Sequence, residues 1–215
     1  MNEKILCPLC GYKETETVRG PLSRSYSKCL NCGIVYVPPE FFPSAEESRK
    51  RYLQHKNTPE SSGYVGFLRK ALDPVFPYMK KGFKALDFGC GHQPVLAGIL
   101  ENLGLGCDYY DPLFFPEGIK SLSYDIIFST ETFEHFQEPA AEISYIFSLI
   151  RPGGYLSVMT RLIPSDRDFY DWFYPRDPTH IVFYESRSFS YIAGKWKSSI
   201  LYNDGESVLL LKKKL

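Results

Sequence analysis

The pattern of apolar and polar positions predicts a unit of strand, tight turn and helix near the middle of the chain. Ala85 to Phe88 is a short apolar run that predicts a buried strand, and the turn Gly89-Cys90-Gly91 follows it at once. An apolar segment then begins at Pro94 and ends near Leu103-Gly104, with the proline and glycine that commonly mark the two ends of a helix. Such a turn leaves backbone N–H groups free at the start of the helix, where they can bind an anionic group.

Strand and helix patterns alternate through the C-terminal part of the chain. They predict strands at 106–111, 124–129 and 155–160 and helices at 137–150 and 186–195. Two further apolar runs, 198–202 and 207–211, flank Asn203-Asp204-Gly205, which is a strong signal for a β-hairpin.

The segment before the central unit predicts a linker with two helices. Val37-Pro38-Pro39 breaks the chain, and Ser44 with Glu47 fits a capping box that starts a charged helix ending near His55. A second helix is predicted from about Gly63 to Met79, interrupted by prolines. We therefore expect residues 40–82 to form a linker and a helical cover.

Four of the six cysteines form two Cys-x-x-Cys-Gly motifs near the N-terminus. In a reducing compartment this spacing predicts a tetrahedral zinc site, and four thiolates close its shell, so the zinc would be structural. The predicted ligands are Cys7, Cys10, Cys29 and Cys32. The alternative is two redox or disulfide pairs. We expect residues 1–39 to form a zinc ribbon stabilised largely by its metal, and Cys90 and Cys107 to be small core residues.

Composition and charge argue against two classes of partner. Lysine and arginine number 25 and aspartate and glutamate also number 25, so the formal net charge is zero and gives no basic footprint for nucleic acid. No apolar run approaches the ~18 residues that would span a bilayer, and the N-terminal sequence has no signal peptide. We therefore expect a cytoplasmic protein with no membrane partner.

The order Asp-x-Gly-x-Gly in the central unit distinguishes between classes of cofactor. A dinucleotide site would require a third glycine at the position of Pro94, so the pattern does not fit NAD. It resembles motif I of the class I S-adenosylmethionine-dependent methyltransferases, although Gln93 stands where many members have a third glycine. The resemblance implies that the turn approaches the methionyl part of the cofactor. The implied binding residues are Asp87, Phe88, Gly89, Cys90 and Gly91.

The next predicted strand ends in a carboxylate that suits a ribose. Asp111, followed by Pro112, can accept two hydrogen bonds from vicinal hydroxyls, so both are candidate cofactor-binding residues. Asp108 is the competing acid, but strand alternation and the following proline favour Asp111. The segment between Asp111 and Asp125 is shorter than the helix and third strand that members of the family usually have there, and the acid that often binds the adenine amino group has no obvious counterpart.

A loop after the strand 124–129 carries a further resemblance. Thr130 to His135 resembles the E-x-x-E-H-type loop that lies beside the transferred methyl group in the family, and a helix, Arg151-Pro152-Gly153-Gly154 and a fifth strand follow in the family's order. Together these elements identify residues 83–215 as a class I methyltransferase domain. The resemblance implies an α/β, Rossmann-like, mostly parallel sheet with an antiparallel last strand. It also implies Thr130 and Glu131 as cofactor-binding residues.

Residues 161–185 form a long irregular insertion that is dense in aromatic and charged side chains. Its position after the fifth strand predicts a substrate roof at the carboxyl edge of the sheet, the alternative being a packing flap. A hydroxyl or carbon-acid acceptor would require a base, for which His135 is the first candidate and His180 in the roof the second. Glu134 would orient the ring of His135. Each histidine could instead only anchor its loop.

The resemblance predicts a methyltransferase with S-adenosylmethionine and a structural Zn²⁺ as cofactors. A small molecule is the expected acceptor, such as a sugar or another metabolite, because zinc-ribbon methyltransferases of this kind include sugar C-methylating enzymes. The alternative acceptor is rRNA or tRNA, since a ribbon-bearing rRNA guanine methyltransferase family exists, but the zero net charge weighs against it. A third hypothesis is a cofactor-binding protein without catalysis that uses the ribbon for interaction. Neither the acceptor atom nor the oligomeric state follows from the sequence.

Overall fold

The computed structural model describes residues 6–54 and 57–215; the predicted end of the first helix at His55 lies outside them. The strands are β1 (Thr15–Val18), β2 (Tyr26–Cys29), β3 (Val35–Tyr36), β4 (Lys84–Phe88), β5 (Gly106–Tyr110), β6 (Tyr124–Thr130), β7 (Ile150–Met159), β8 (Val182–Phe183), β9 (Ser198–Asn203) and β10 (Val208–Lys213). The helices are α1 (Ala45–Tyr52), α2 (Ser62–Leu72), α3 (Val95–Asn102), α4 (Pro139–Leu149) and α5 (Ser186–Lys195).

The central sheet has the strand order β5-β4-β6-β7-β10-β9. Strands β5, β4, β6 and β7 are parallel, whereas β10 is antiparallel to both β7 and β9. This arrangement confirms the predicted Rossmann-like class I methyltransferase fold with its antiparallel closing strand. Residues 111–123 contain no strand beyond a single bridge between Asp111 and Phe115, so the sheet ends at β5, as the shortness of this segment predicts.

Apolar side chains cover both faces of this sheet, because successive residues of a strand point to opposite sides. Leu86 and Ile127 pack in one core with α4, α5 and the N-terminal ribbon, whereas Ala85 and Ile126 pack in a second core with α2 and α3. Such two-sided burial explains the nearly continuous apolar sequences of β4 and β6. Cys107 is buried in the second core, as predicted, while Cys90 is half-buried.

The predicted element ends differ from the observed ones where local and long-range effects compete. The capping box of Ser44 and Glu47 starts α1 as predicted. The second helix ends at Leu72 rather than Met79, because Pro74 and Pro77 permit only a separate 3-10 turn at Phe76–Tyr78. Strand β7 begins at Ile150 rather than Tyr155, because it is parallel to β6 already at that residue.

The N-terminal strands form a small second sheet that a roof segment completes. Its order is β1-β2-β3-β8, and β8 comes from residues 182–183, within the insertion that the sequence predicted as irregular. Val35 and Tyr36 are antiparallel partners of Phe183 and Val182. The ribbon is therefore joined to the roof by backbone hydrogen bonds. Among the described residues no helix is long and apolar enough to cross a membrane.

Candidate active site and cysteine cluster

A cavity of about 990 Å³ opens at the carboxyl ends of β4, β5 and β6. This is the edge of an open α/β sheet at which ligands bind, and residues of α1, α2 and the roof close the other sides. The residues predicted for cofactor binding and catalysis all line the cavity: Asp87, Phe88, Gly89, Cys90, Gly91, Asp111, Pro112, Thr130, Glu131, Glu134, His135 and His180.

The glycine turn is held against the end of β5 by its own backbone. The N–H of Gly89 donates to the carbonyl of Tyr110 at 2.8 Å, and the N–H of Cys90 shares that acceptor at 3.1 Å. Gly89 has a φ of 83°, and a Cβ there would lie 2.3 Å from the side chain of Thr132. Both features require glycine. At Gly91, with a φ of 66°, no atom lies within 4 Å of the Cβ position, so its backbone is open to a ligand.

Asp87 lies beneath this turn with an unused acceptor. Its side chain is 2% exposed, and Oδ1 has no hydrogen-bond partner among the described residues. Burial raises the pKa of this carboxyl to about 7, although a backbone hydrogen bond with Ala97 opposes the change. A buried carboxylate oxygen without a partner favours a ligand that brings a hydrogen-bond donor or positive charge.

Asp111 connects the turn to the segment that follows β5. Its Oδ2 accepts from the N–H of Gly91 at 3.1 Å, and its Oδ1 accepts from Leu113 at 2.9 Å and Phe114 at 3.2 Å. Asp108, the competing acid, instead accepts from the Tyr124 hydroxyl at 2.6 Å and is not part of the cavity wall. Of the two acids, Asp111 is therefore the one that can reach a ligand in the cavity.

These features fit S-adenosylmethionine, which carries an ammonium group, a sulfonium and a ribose. Asp87 offers an unpaired oxygen to a positive group, and the turn leaves space for a ligand beside Gly91. Asp111 already accepts three backbone hydrogen bonds and keeps a lone pair on Oδ2 for a hydroxyl. The volume is at the upper end of the roughly 300–1,000 Å³ typical of ligand cavities, which leaves space for an acceptor beside the cofactor.

Two histidines from distant segments meet on the other side of the cavity. Nδ1 of His135, in the 3-10 turn Phe133–His135, lies 2.8 Å from the carbonyl of Thr179. Nδ1 of His180 lies 2.8 Å from the carbonyl of Tyr174, and the ring centroids are 4.9 Å apart. A carbonyl can only accept, so each Nδ1 carries the hydrogen and each Nε2 of the neutral ring keeps a lone pair. Burial, and next the neighbouring His135, lower the pKa of His180 to about 4.

The orientation of His135 comes from the roof and not from its neighbour. The Oε1 atom of Glu134 lies 3.9 Å from Nε2 of His135, which is too long for a hydrogen bond. The bond to Thr179 is the contact that orients the ring. The sequence-based suggestion that Glu134 would orient it therefore does not match this geometry.

Two buried carboxyl groups share one tyrosine beside the histidines. The Tyr174 hydroxyl lies 2.5 Å from Oε1 of Glu134 and 3.3 Å from Oε2 of Glu131, while Thr160 donates to the other oxygen of Glu134 at 2.9 Å. The hydroxyl has one proton, so its short bond is to Glu134 and its contact with Glu131 is the weaker one. Burial and the charge of Glu134 raise the pKa of Glu131 well above its usual value.

Several wall residues were not singled out in the sequence. The sequence did not distinguish Tyr174 from the other aromatic residues of the roof, or Arg51 from the other charged residues of α1. Arg51 forms an ion pair with Asp177 at 2.8 Å, and Tyr52 packs edge-on against His135 at 5.2 Å. Burial opposes ionisation of Asp177, but hydrogen bonds from Arg51 and Thr179 lower its pKa overall. Only the aromatic density of the roof could have pointed to this set.

The four N-terminal cysteines converge on one point. Their Sγ atoms all lie within 4.8 Å of one another, with 3.5 Å between Cys7 and Cys32 and 3.4 Å between Cys10 and Cys29. A tetrahedral ion with Zn–S bonds of about 2.3 Å would separate its sulfur ligands by about 3.8 Å, so the cluster fits zinc. Gly11 and Gly33 each follow a motif with positive φ and donate to the carbonyls of Cys7 and Cys29.

Solved structures resemble this fold at low sequence identity, and no curated protein matches the sequence significantly. Burkholderia thailandensis 1,6-didemethyltoxoflavin-N1-methyltransferase, with bound 1,6-didemethyltoxoflavin and S-adenosylhomocysteine, has a TM-score of 0.55 at 10% identity and covers 93% of this chain and 100% of its own. The 4+2 cyclase SpnF has a TM-score of 0.50 at 14% identity, covering 81% and 97%. Haemonchus contortus phosphoethanolamine N-methyltransferase 2 has a TM-score of 0.50 at 11% identity, covering 84% and 62%.

A family model described as a methyltransferase domain matches residues 60–195, more than half of the chain. The matched segment begins in the helical cover and ends in α5. It includes the glycine turn, the loop from Thr130 to His135 and the roof. S-Adenosylmethionine is the methyl donor that this family and this fold support. The chain belongs to the methyltransferase domain family and has the class I methyltransferase fold.

Proposed function

We propose that the protein transfers a methyl group from S-adenosylmethionine to a small molecule that must lose a proton, such as a hydroxyl or a carbon acid. One observation carries the proposal. A single cavity has the glycine turn and two carboxyl groups on one side and, on the other, two histidines whose Nδ1 atoms are both bound to backbone carbonyls. A donor and an acceptor bound in this cavity would meet between the two sides.

The donor side is proposed to be formed by the predicted cofactor residues. S-Adenosylmethionine, when bound, supplies a methyl group that is already activated for transfer. Asp87 would accept from its ammonium group, Asp111 from its ribose hydroxyls, and the turn at Gly89–Gly91 would contact it through backbone. The remaining residues proposed to line this side are Phe88, Pro112, Thr130 and Glu131.

The catalytic residues are proposed to be His135, His180 and Glu134. Nε2 of His135 would accept the proton of the acceptor's O–H or C–H bond, and the electron pair of that bond would go to the methyl carbon, displacing the sulfur of S-adenosylhomocysteine as the leaving group. The carboxylate of Glu134, 3.9 Å from that nitrogen, would stabilise the imidazolium that results. His180, which its lowered pKa keeps neutral, would accept a hydrogen bond from the acceptor.

A small acceptor is favoured over RNA. The cavity has the volume that small ligands occupy, and the chain has no net positive charge to attract a polyanion. A solved neighbour with this fold binds 1,6-didemethyltoxoflavin, a small molecule.

The cysteine cluster is proposed to hold one structural zinc ion through Cys7, Cys10, Cys29 and Cys32. Its four thiolates leave no open position for a substrate. We further propose a division into a zinc ribbon at 1–39, a linker and helical cover at 40–82, and a methyltransferase domain at 83–215 whose residues 161–185 form the substrate roof.

The proposal is tested with the purified full chain in two steps. Calorimetry with S-adenosylhomocysteine measures cofactor binding, and methyl-labelled S-adenosylmethionine is then incubated with fractionated metabolite and RNA pools. We expect label in a small-molecule fraction. Label confined to RNA would mean that the acceptor is RNA and not a small molecule. Binding without transfer to any pool would favour a non-catalytic cofactor-binding protein.

The role of His135 is tested with His135→Gln, because glutamine keeps a polar side chain of similar length and has no basic nitrogen. We expect turnover to fall about a hundredfold to ten-thousandfold, with the Kd for S-adenosylhomocysteine unchanged. Near-native turnover of the variant across pH would mean that His135 only anchors its loop. His180 would then be the candidate for the base.

A further inference from the structure

We propose that Arg24 of the ribbon is a positioning residue for methyl transfer. It holds a roof loop, residues 174–181, whose own carbonyls orient both His135 and His180. This inference rests on the proposed function for its catalytic consequence. Its structural content, that a ribbon residue fixes the two imidazoles, can be measured independently of turnover.

Two backbone carbonyls of this loop orient the histidines. The carbonyl of Tyr174, at its start, accepts from Nδ1 of His180, and the carbonyl of Thr179, near its end, accepts from Nδ1 of His135. These bonds fix the tautomer and the ring orientation of both histidines, which line the cavity. A shift of the loop backbone would therefore move or release both imidazoles together.

Arg24 binds three other carbonyls of the same loop. Its Nη2 donates to Pro175 at 2.8 Å, and its Nη1 donates to Pro178 at 3.1 Å and His180 at 3.2 Å. The guanidinium is planar and has five donors in a fixed fork, so one side chain can hold three carbonyls in a defined arrangement. Lysine has no equivalent geometry.

The fork of Arg24 is itself fixed to the ribbon. Its Nε donates to the hydroxyl of Tyr26 at 3.0 Å, and that hydroxyl donates to the carbonyl of Pro21 at 3.0 Å. Tyr26 is 1% exposed and begins β2, the strand that ends at Cys29 of the cysteine cluster. The position of the guanidinium is thus set by a buried part of the ribbon and not by solvent.

The other end of the loop is also attached to the ribbon. The N–H of Val37 donates to the carbonyl of Ile181 at 3.0 Å, and the N–H of Ile181 donates to the carbonyl of Glu134 at 2.8 Å. Ile181 therefore links the ribbon directly to the 3-10 turn Phe133–His135. Between this link and its start at Tyr174 the loop is held by two arginines. Arg51 of α1 pairs with the side chain of Asp177, and Arg24 alone binds several of the loop's backbone carbonyls.

The experiment compares Arg24→Ala and Arg24→Lys with Arg19→Ala in the full, zinc-loaded chain. Arg19 is the matched control, because it also reaches the roof from the ribbon, over the ring of Tyr170 at 4.3 Å, but has no hydrogen bond to residues 174–181. For both Arg24 variants we expect kcat to fall 10- to 100-fold, as for a catalytic group displaced by about 1 Å. The acceptor KM and the Kd for S-adenosylhomocysteine should change less than threefold, and Arg19→Ala should match the native chain.

Two further readouts separate positioning from general destabilisation. The ¹⁵N resonances of labelled histidines should report Nδ1–H tautomers for His135 and His180 in the native chain and a mixture of tautomers in Arg24→Ala. Guanidinium ion at millimolar concentration should restore part of the kcat of Arg24→Ala and none of the kcat of His135→Gln.

Unchanged tautomers in Arg24→Ala, or equal kcat losses in Arg24→Ala and Arg19→Ala, would overturn the inference. If Arg24→Ala does not fold, Arg24→Lys with native tautomers and native kcat would overturn it as well. A native chain that transfers no methyl group refutes the proposed function, and the histidine tautomers still decide whether Arg24 fixes the loop.

Discussion

Cofactor affinity should depend on pH through Asp87, a dependence set by the burial of a single carboxyl group. Asp87 is 2% exposed, and its pKa is raised to about 7. Below that pH the free protein carries a proton on the carboxyl, which must leave before the oxygen can accept from a cationic group. Binding therefore releases a proton at acidic pH and releases none well above pH 7.

The size of the effect follows from the same pKa. If the bound ammonium group returns the pKa of Asp87 to its ordinary range, the Kd for S-adenosylhomocysteine should rise about tenfold for each pH unit below 7, so that it is about a hundredfold weaker at pH 5. Above pH 7 the curve should become flat. The ligand's own α-amino group ionises with a pKa of about 8, so the measurement should stop near pH 7.5.

The assay is calorimetry with S-adenosylhomocysteine from pH 5 to 7.5, in two buffers of different ionisation enthalpy. The difference between buffers gives the number of protons released, which should approach one at pH 5.5 and fall towards zero at pH 7.5. Asp87→Asn is the control variant and should bind weakly with no pH dependence. A native Kd that is constant across this range would refute the assignment of Asp87 as the group that binds the cofactor's cation.

The same raised pKa makes a separate prediction about stability. A carboxyl whose folded-state pKa lies above its unfolded value stabilises the fold only at low pH and loses that contribution as pH rises through the folded pKa. For Asp87 the loss extends from about pH 4 to about pH 7 and amounts to about 4 kcal/mol. Asp87→Asn should therefore be more stable than the native chain at pH 8, by denaturant unfolding, although it binds the cofactor less well.

Three other changes test the remaining parts of the site. Asp111→Ala should weaken cofactor binding by about 2 kcal/mol or more, and an unchanged Kd would mean that another acid binds the ribose. Protein prepared without chelator should contain about one zinc equivalent, and its absence on metal analysis would contradict the zinc site. Tyr174→Phe should destabilise the fold by about 1.5–3 kcal/mol, because it removes the hydroxyl donor to buried Glu134, whereas Tyr170→Phe, at the exposed surface, should have little effect on the free energy of unfolding.

The sequence could predict the donor side because its information is local. The strand, turn and helix around Gly89 lie within one short stretch, and the requirement for glycine arises from the backbone of that stretch and its contact with Thr132. The hairpin at Asn203-Asp204-Gly205 and the capping box of α1 are local in the same sense, and both occur as predicted. Strand and helix types were therefore predictable, while their ends depended on partners elsewhere.

The acceptor side could be predicted only as a list of candidate residues. His135 and His180 were named from two separate segments, but their contact at 4.9 Å and their two carbonyl partners depend on how the roof folds back. Strand β8 has only two residues, which is too short for any periodic signal, and it exists because β3 offers it an edge. Arg24 had no sequence signal at all, since an arginine between two cysteine motifs resembles any solvated charge.

This difference between the two sides has a physical cause that bears on how the site works. The donor side is anchored within the central sheet, so its geometry depends on β4, β5, α3 and the end of β6. The acceptor side requires three separate parts of the chain: the turn with Glu134 and His135, the loop 174–181 and the ribbon. The turn contacts the loop through the Tyr174 hydroxyl, the histidine rings and the carbonyl of Thr179, and the ribbon contacts the loop through Arg24 and the backbone of Val37. Loss of the ribbon's metal should accordingly reduce turnover more than cofactor affinity. The ribbon in this protein then acts as a structural support for the acceptor side, and the identity of the acceptor depends on the roof that it holds.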